Sequence, residues 1–188
     1  MGFTRDELRS FQDAIVPDLV GETSPRLVIV GINPGLWTAA TRTHFAHPGN
    51  RFYPALHLAG ITDRVLDRVE GLTEEDRRQL TDRGIAITNV VPRATAAASE
   101  LTRAEMREGG QRLLERLQAW QPRVVAIAGI TAYRAAFGKP KAVMGKQPEP
   151  LAGAELWVVP NPSGLNAHET VDTLAEWYRH AAEAAGIL

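Results

Sequence analysis

Three short runs of apolar, mostly β-branched residues constrain this chain more than any other feature: Leu27 to Ile32 (LVIVGI), Val124 to Ala128 (VVAIA) and Leu156 to Val159 (LWVV). They are continuous rather than alternating, the pattern of strands covered on both faces. Ile85 to Val91 (IAITNVV) reads as a fourth. Helical patterns lie between and around them. The clearest runs from Arg103 to Trp120, with Met106, Gly110, Leu113, Leu114 and Leu117 on one face and capping-box spacing at Thr102 and Glu105. A second, Glu169 to about Ala185, puts Val171, Leu174, Tyr178 and Ala181 on one stripe. Shorter helices fit Arg5 to Ile15, Tyr53 to Ala59 and Glu74 to Asp82, the last closed by Gly84, while Lys139 to Pro150 reads as a surface loop. Strands alternating with helices predict the α/β class: a three-layer α/β/α sandwich around a mostly parallel sheet. A length of 188 residues suits one domain, 1–188.

Several classes of function are excluded early. No apolar run approaches the roughly 18 residues of a membrane span, and Arg5, Asp6 and Glu7 stand where a signal peptide would be apolar. Asp6 also breaks the myristoylation pattern that an opening Met-Gly would start. The expectation is a cytoplasmic protein with no membrane attachment. With no cysteine in the chain, thiolate nucleophiles, disulfide frameworks, Cys-ligated zinc and cysteine-held iron–sulfur clusters all drop out. A formal charge of -1 weighs at first against nucleic acid. Its distribution says otherwise: Asp63 to Asp76 is strongly acidic, whereas Arg42, Arg51, Arg93, Lys139, Lys141 and Lys146 fall in or near loops that follow strands. Only locally neutralised phosphates set affinity for DNA, so the near-neutral sum predicts modest non-specific binding with a shallow salt dependence.

In such sheets the ligand crevice lies beyond the carboxyl ends of the strands. The first such loop opens with GINPG, Gly31 to Gly35, where Pro34 fixes φ and Asn33 becomes a rigidly placed amide that donates and accepts but is no strong base. Read alone, Asn-Pro-Gly is also an ordinary turn. It is neither a dinucleotide fingerprint nor a phosphate loop. The loop continues as THFAHPGNRFY, Thr43 to Tyr53, in which Phe45 offers a flat face for stacking a base, while Phe52 and Tyr53 suit the apolar side of the next helix. His44 and His47 lack the third ligand that a zinc centre requires, so no metal is expected. The last loop, PNPSGLNAH from Pro160 to His168, surrounds one apolar side chain, Leu165, with turn formers. Leu165 is either a wedge that fills a vacated base stack or a staple under the following helix, with Ser163 or Asn166 as cap.

Taken together, GINPG at Gly31 to Gly35, HFAHPGNRF at His44 to Phe52, TNVVPRAT at Thr88 to Thr95 and NPSGL at Asn161 to Leu165 closely resemble the mismatch-specific uracil-DNA glycosylase and thymine-DNA glycosylase family of the uracil-DNA glycosylase superfamily. The likeness extends from about Leu27 to Tyr178. It implies a uracil-DNA glycosylase-like fold, in accord with the pattern of strands and helices. It further implies that Asn33 positions the water that attacks the sugar C1′, and that Ile32, Gly35, Thr38, His44, Phe45 and Asn89 form the base pocket. In that pocket Phe45 would stack on the flipped base and Thr38 would face its 5-position. Gly164, Leu165 and Asn166 match the segment that enters the duplex and contacts the orphaned guanine. One departure is plain: bacterial mismatch enzymes often carry Arg two residues after the wedge, and here Ala167 stands there, followed by His168.

The function these readings imply is hydrolysis of the N-glycosidic bond of a mispaired uracil, or a related modified pyrimidine, flipped out of double-stranded DNA, leaving an abasic site. The expected partner is duplex DNA with a G:U or related mismatch, and the expected enzyme is a monomer without cofactor or metal. Two other classes fit part of the pattern: a non-catalytic binder of mismatched or modified DNA, and a hydrolase of free nucleosides or nucleotides, which would not need an exposed wedge.

Overall fold

Continuous apolar runs become interior strands because both of their faces find cover. In the computed structural model, which describes residues 2–188, the strands are β1 (Leu27–Gly31), β2 (Ile85–Asn89), β3 (Val124–Ala128), β4 (Gly145–Lys146) and β5 (Glu155–Val159). Met1, the first residue of the expected domain and of the Met-Gly pattern, lies outside the described residues. The sheet order is β2-β1-β3-β5-β4, with every pair parallel except β4 against β5. Successive side chains supply two separate cores, as the period of two requires. Leu27, Ile29, Ile85, Ile87, Val124 and Ala126 pack on one face beneath α3 (Phe52–Leu58), α4 (Glu74–Thr81) and α7 (Val171–Ala184). Val28, Val30, Ala86, Val125, Ile127, Leu156 and Val158 pack on the other beneath α5 (Arg103–Trp120) and α6 (Ile130–Phe137). This is the expected α/β/α sandwich with a mostly parallel sheet.

The differences from the sequence reading have local causes. The first helix, expected to reach Ile15, is α1 (Arg5–Arg9). Beyond it Asp13 takes φ 64°, its N–H bonds Ala94 O, and Ile15 bridges Arg93; pairing with the 92–94 segment wins over helix propensity. Two helices went unread, α2 (Leu36–Thr41) and α6, and the Lys139–Pro150 loop contains β4. On α5, Leu114 is only half-buried, and Gly109 joins Gly110 on the buried face. A Cβ at Gly110 would sit 2.7 Å from Ala136 O, so this glycine sets how closely α6 approaches. The last helix begins at Val171, capped by Thr170 and not by Ser163 or Asn166.

Sheet progression reverses after β2: the chain returns across β1 to form β3. At such a switch point the loops leaving β1 and β3 part in opposite directions and open a crevice. No helix among the described residues is long and apolar enough to cross a membrane.

Candidate active site

A cleft of about 680 Å³ opens at this switch point. Of the residues singled out in the sequence, Ile32, Asn33, Gly35, Thr38, His44, Phe45, Asn89, Leu165 and Asn166 all line it, although they come from four separate stretches of chain. Gly164 belongs to the same loop as Leu165 but does not line the cleft. None of the lining residues is a lysine, arginine, aspartate or glutamate.

Asn33 is held from one side only. Its Nδ2 donates to Thr95 Oγ1 at 2.8 Å and Arg93 O at 3.0 Å, with Pro34 O at 3.2 Å. Those acceptors use up the two amide hydrogens. Oδ1 is therefore the atom turned to the open cleft, as an acceptor. Buried Thr95 is itself oriented, because its hydroxyl donates to Ala97 O at 2.8 Å. Thr95 N–H in turn bonds Pro34 O, which locks the loop after β2 to the Asn-Pro-Gly turn. Thr95, which holds Asn33 and lines the cleft, is a residue that sequence reasoning missed; it closes the TNVVPRAT block, and a single threonine there gives no periodic signal.

The wall opposite Asn33 is a hydrogen-bonded unit. Buried His44 meets Pro17 O through Nε2 at 3.0 Å and Asn89 Nδ2 through Nδ1 at 3.1 Å. A carbonyl only accepts, so Nε2 carries the hydrogen and Nδ1 accepts from the Asn89 amide. Burial pushes the His44 imidazole below its usual value and keeps it neutral. Asn89 Oδ1 is thereby left facing the cleft as a second fixed acceptor. Behind it Arg116 Nη2 bonds Asn89 O at 2.7 Å. Gly31 makes room for this unit: a Cβ there would lie 2.5 Å from Asn89 Oδ1 and 3.3 Å from Phe45 Cζ. The absent side chain at Gly31 thus accommodates neighbouring side chains.

Phe45 adopts φ 56°, a left-handed conformation that costs a non-glycine residue energy and is held by its neighbours. Its ring lies 4.2 Å from that of Phe52, tilted by 30°, and Phe52 is fully buried, as expected of the helix face. The buried Tyr53 hydroxyl donates to His44 O at 2.9 Å and fixes the backbone just before Phe45. Trp37, also unread in the sequence, lines the rim and donates from Nε1 to Val69 O.

Leu165 is 96% exposed, which removes the staple reading. The loop that carries it is nonetheless rigidly tied. Arg51 donates from Nη2 to Ser163 O and Asn166 O, each at 2.6 Å, and from Nη1 to Glu169 O. Asn166 accepts from His168 N–H and donates to Asn161 O, while Ser163 Oγ accepts from Leu165 N–H. At Gly164 a Cβ would come within 2.6 Å of Gly49 O, so the Leu165 loop packs directly on the His47–Asn50 turn.

The cations expected near the ligand face are mostly committed elsewhere. Arg51 is spent on carbonyls, Arg93 pairs with Asp13 and Glu105, Lys139 with Glu149, and Lys146 with Glu155. Among the described residues no group of three or more histidine, aspartate or glutamate side chains converges as a metal site. His47 instead accepts from Gly49 N–H and sits edge-on to Trp37.

The arrangement suits a planar, polar, neutral ligand held between an aromatic face and fixed amide acceptors, with a water placed by Asn33. Comparison with protein families agrees: the family model described as Uracil DNA glycosylase superfamily matches residues 17–184.

Proposed function

The chain belongs to the uracil DNA glycosylase superfamily, and from that premise we propose that it removes a mispaired uracil, or a related modified pyrimidine, from double-stranded DNA by hydrolysis, leaving an abasic site. The observation that carries this reading is the one-sided anchoring of Asn33. With both amide hydrogens taken by Thr95 Oγ1 and backbone carbonyls, Oδ1 accepts from a water and aims it without deprotonating it. No carboxylate lines the cleft to act as a strong base. The water therefore attacks late, once the C1′–N1 bond has largely broken, and the rate depends on how well the departing base carries negative charge. Uracil spreads that charge over two carbonyls. No lysine lines the cleft either, so there is no amine to form a Schiff base with the opened sugar, and the reaction stops at the abasic site.

Asn89 Oδ1 meets the N3–H donor of uracil or thymine and repels the N3 lone pair of cytosine. Phe45 stacks on the flipped ring. Buried Thr38 borders the base site and limits substituents at the 5-position. Leu165 fills the vacated stack, and a mispaired base is extruded more cheaply than a paired one, which favours G:U sites.

The test uses a duplex carrying one U:G mismatch, followed by alkaline cleavage of abasic sites. Wild type produces the strand break, and Asn33→Ala lowers single-turnover excision by about 100-fold or more, in line with loss of a positioning group. A folded wild type with no more cleavage than Asn33→Ala would refute enzymatic function and leave a binder of mismatched DNA. Release of uracil from free deoxyuridine with none from duplex would assign the cleft to nucleosides instead.

A further inference from the structure

Outside the cleft, three arginines without an ion pair among the described residues gather in a groove of about 530 Å³ between α5 and α6, lined by Arg103, Arg107, Thr131, Arg134, Gly138 and their neighbours. Arg103 and Arg107 are one helical turn apart on α5, and Thr131 and Arg134 lie along one face of α6, with its C-cap Gly138 beyond them. All three guanidinium groups are on exposed residues. The ion pairs that neutralise Arg64, Arg78, Arg83, Arg93, Arg112, Arg116, Lys139 and Lys146 do not reach them. Arg134 is turned into position by a carbonyl, Ala142 O, which leaves its charge uncompensated. The nearest carboxylates along α5 are occupied: Glu105 by Arg93 and Glu108 by Arg112.

Position in the fold gives the groove its partner. α5 starts just beyond the Thr95–Ala98 wall of the cleft, and α6 starts just after Ala128, which also lines it. Both helices then run back from the carboxyl ends of the strands, so the groove begins at the rim of the cleft. The cleft itself offers no cation, yet a duplex lying across it brings one phosphate for about every 1.7 Å of axis. We infer that the groove between α5 and α6 holds the sugar-phosphate backbone of the duplex whose extruded base occupies the cleft, with Arg103 and Arg107 on its phosphate oxygens and Arg134 beside them. For its DNA partner this rests on the glycosylase reading. Guanidinium forks suit the site because they grip phosphate oxygens in pairs and hold their charge at any working pH.

The experiment measures binding of an undamaged duplex by fluorescence anisotropy across a salt series, for wild type, R103Q/R107Q, R103K/R107K and, as a control, R78Q on α4. Removing the two phosphate contacts makes the slope of log affinity against log salt shallower by about 1.8, at about 0.9 per contact, and weakens binding severalfold at low salt. R103K/R107K recovers the slope, and R78Q leaves it unchanged. Thermal melts verify that the variants fold, and the control R78Q keeps the wild-type rate of single-turnover uracil excision, because Arg78 lines neither the cleft nor the groove. Wild-type slope and affinity in R103Q/R107Q, alongside normal excision by wild type, would overturn the groove assignment while leaving the glycosylase reading in place. A shallower slope in R103Q/R107Q with no excision by wild type would support the groove and sink the glycosylase reading.

Discussion

At the scale of single residues, the site depends on amides whose orientation is dictated by neighbours rather than by the amides themselves. Asn89 points its oxygen into the cleft only while His44 Nδ1 accepts from its nitrogen. Protonating His44 would turn Nδ1 into a donor facing a donor. Burial lowers the folded-state value of this histidine below the 6.5 of a free imidazole, so the unfolded chain takes up the proton first. The sign follows from linkage: between 6.5 and the lower folded value the unfolded state binds more protons, and stability rises with pH across that window. His44 thus contributes its full stability above that window, and part of it is lost as pH falls through the window. Thermal melts through this range would show wild type losing melting temperature on acidification, with the loss reduced in H44Q. An equal acid dependence in both would place the titrating group elsewhere. Asn33 was legible in the sequence because a Gly-Ile-Asn-Pro-Gly setting fixes an amide at a strand end. Thr95 was not, because its role rests on a contact 62 residues away in the chain. His44 was legible only as a pocket residue, since the carbonyl that sets its tautomer belongs to Pro17, 27 residues earlier in the chain and in no element read from the sequence.

At the scale of elements, the exposed Leu165 tip is a property of two loops, and Arg51 is what joins them. The guanidinium holds Ser163 O, Asn166 O and Glu169 O, and Arg51 N–H bonds Pro162 O at 3.0 Å. A residue that sequence alone places among DNA-facing cations is in this fold a clamp on the Pro162–Glu169 segment. Arg51→Ala frees that segment, so Leu165 must be ordered at the moment of base extrusion. Excision from duplex should fall by about 10-fold to 100-fold, with excision from single strands, where nothing need be wedged, nearly unchanged. Leu165→Ala should give the same duplex-selective pattern, since its side chain is exposed and removing it leaves no cavity. An equal loss on both substrates in either variant would show that the loop shapes the pocket rather than opening the helix. Elements with strong periodicity, such as the four main strands, α5 and α7, were readable from the sequence to within a residue or two. The short helices α2 and α6 were not: each follows a strand or its turn directly, so no separate loop marks where the helix begins. α1 was overextended because the pairing of Asp13 and Ile15 with Ala94 and Arg93 is tertiary and leaves no trace in local pattern.

For the whole molecule, a net charge of -1 is reconciled with a DNA partner by internal neutralisation. Most of the 21 lysines and arginines meet carboxylates or backbone carbonyls of the same chain, and three of the six once assigned to the ligand face, Arg93, Lys139 and Lys146, are in ion pairs. Of those six, Arg42 and Lys141 remain exposed, to be added to the arginines of the α5–α6 groove. The molecule therefore meets DNA with few free cations, and the proposed recognition falls to the uncharged cleft and the apolar tip at Leu165. Each neutralised phosphate contributes about 0.9 to the slope of log affinity against log salt, so a handful of contacts predicts a value of about -2 to -4 for undamaged duplex. Binding titrations across a salt series check this, and a slope of about -6 or steeper would require phosphate contacts that the free cations do not supply. The same balance predicts that single-turnover excision at saturating protein changes little with salt, while the protein concentration needed to saturate rises with salt, in step with that shallow slope. Salt acts on the encounter with the backbone, and the chemistry takes place in a cleft without a formal charge of its own.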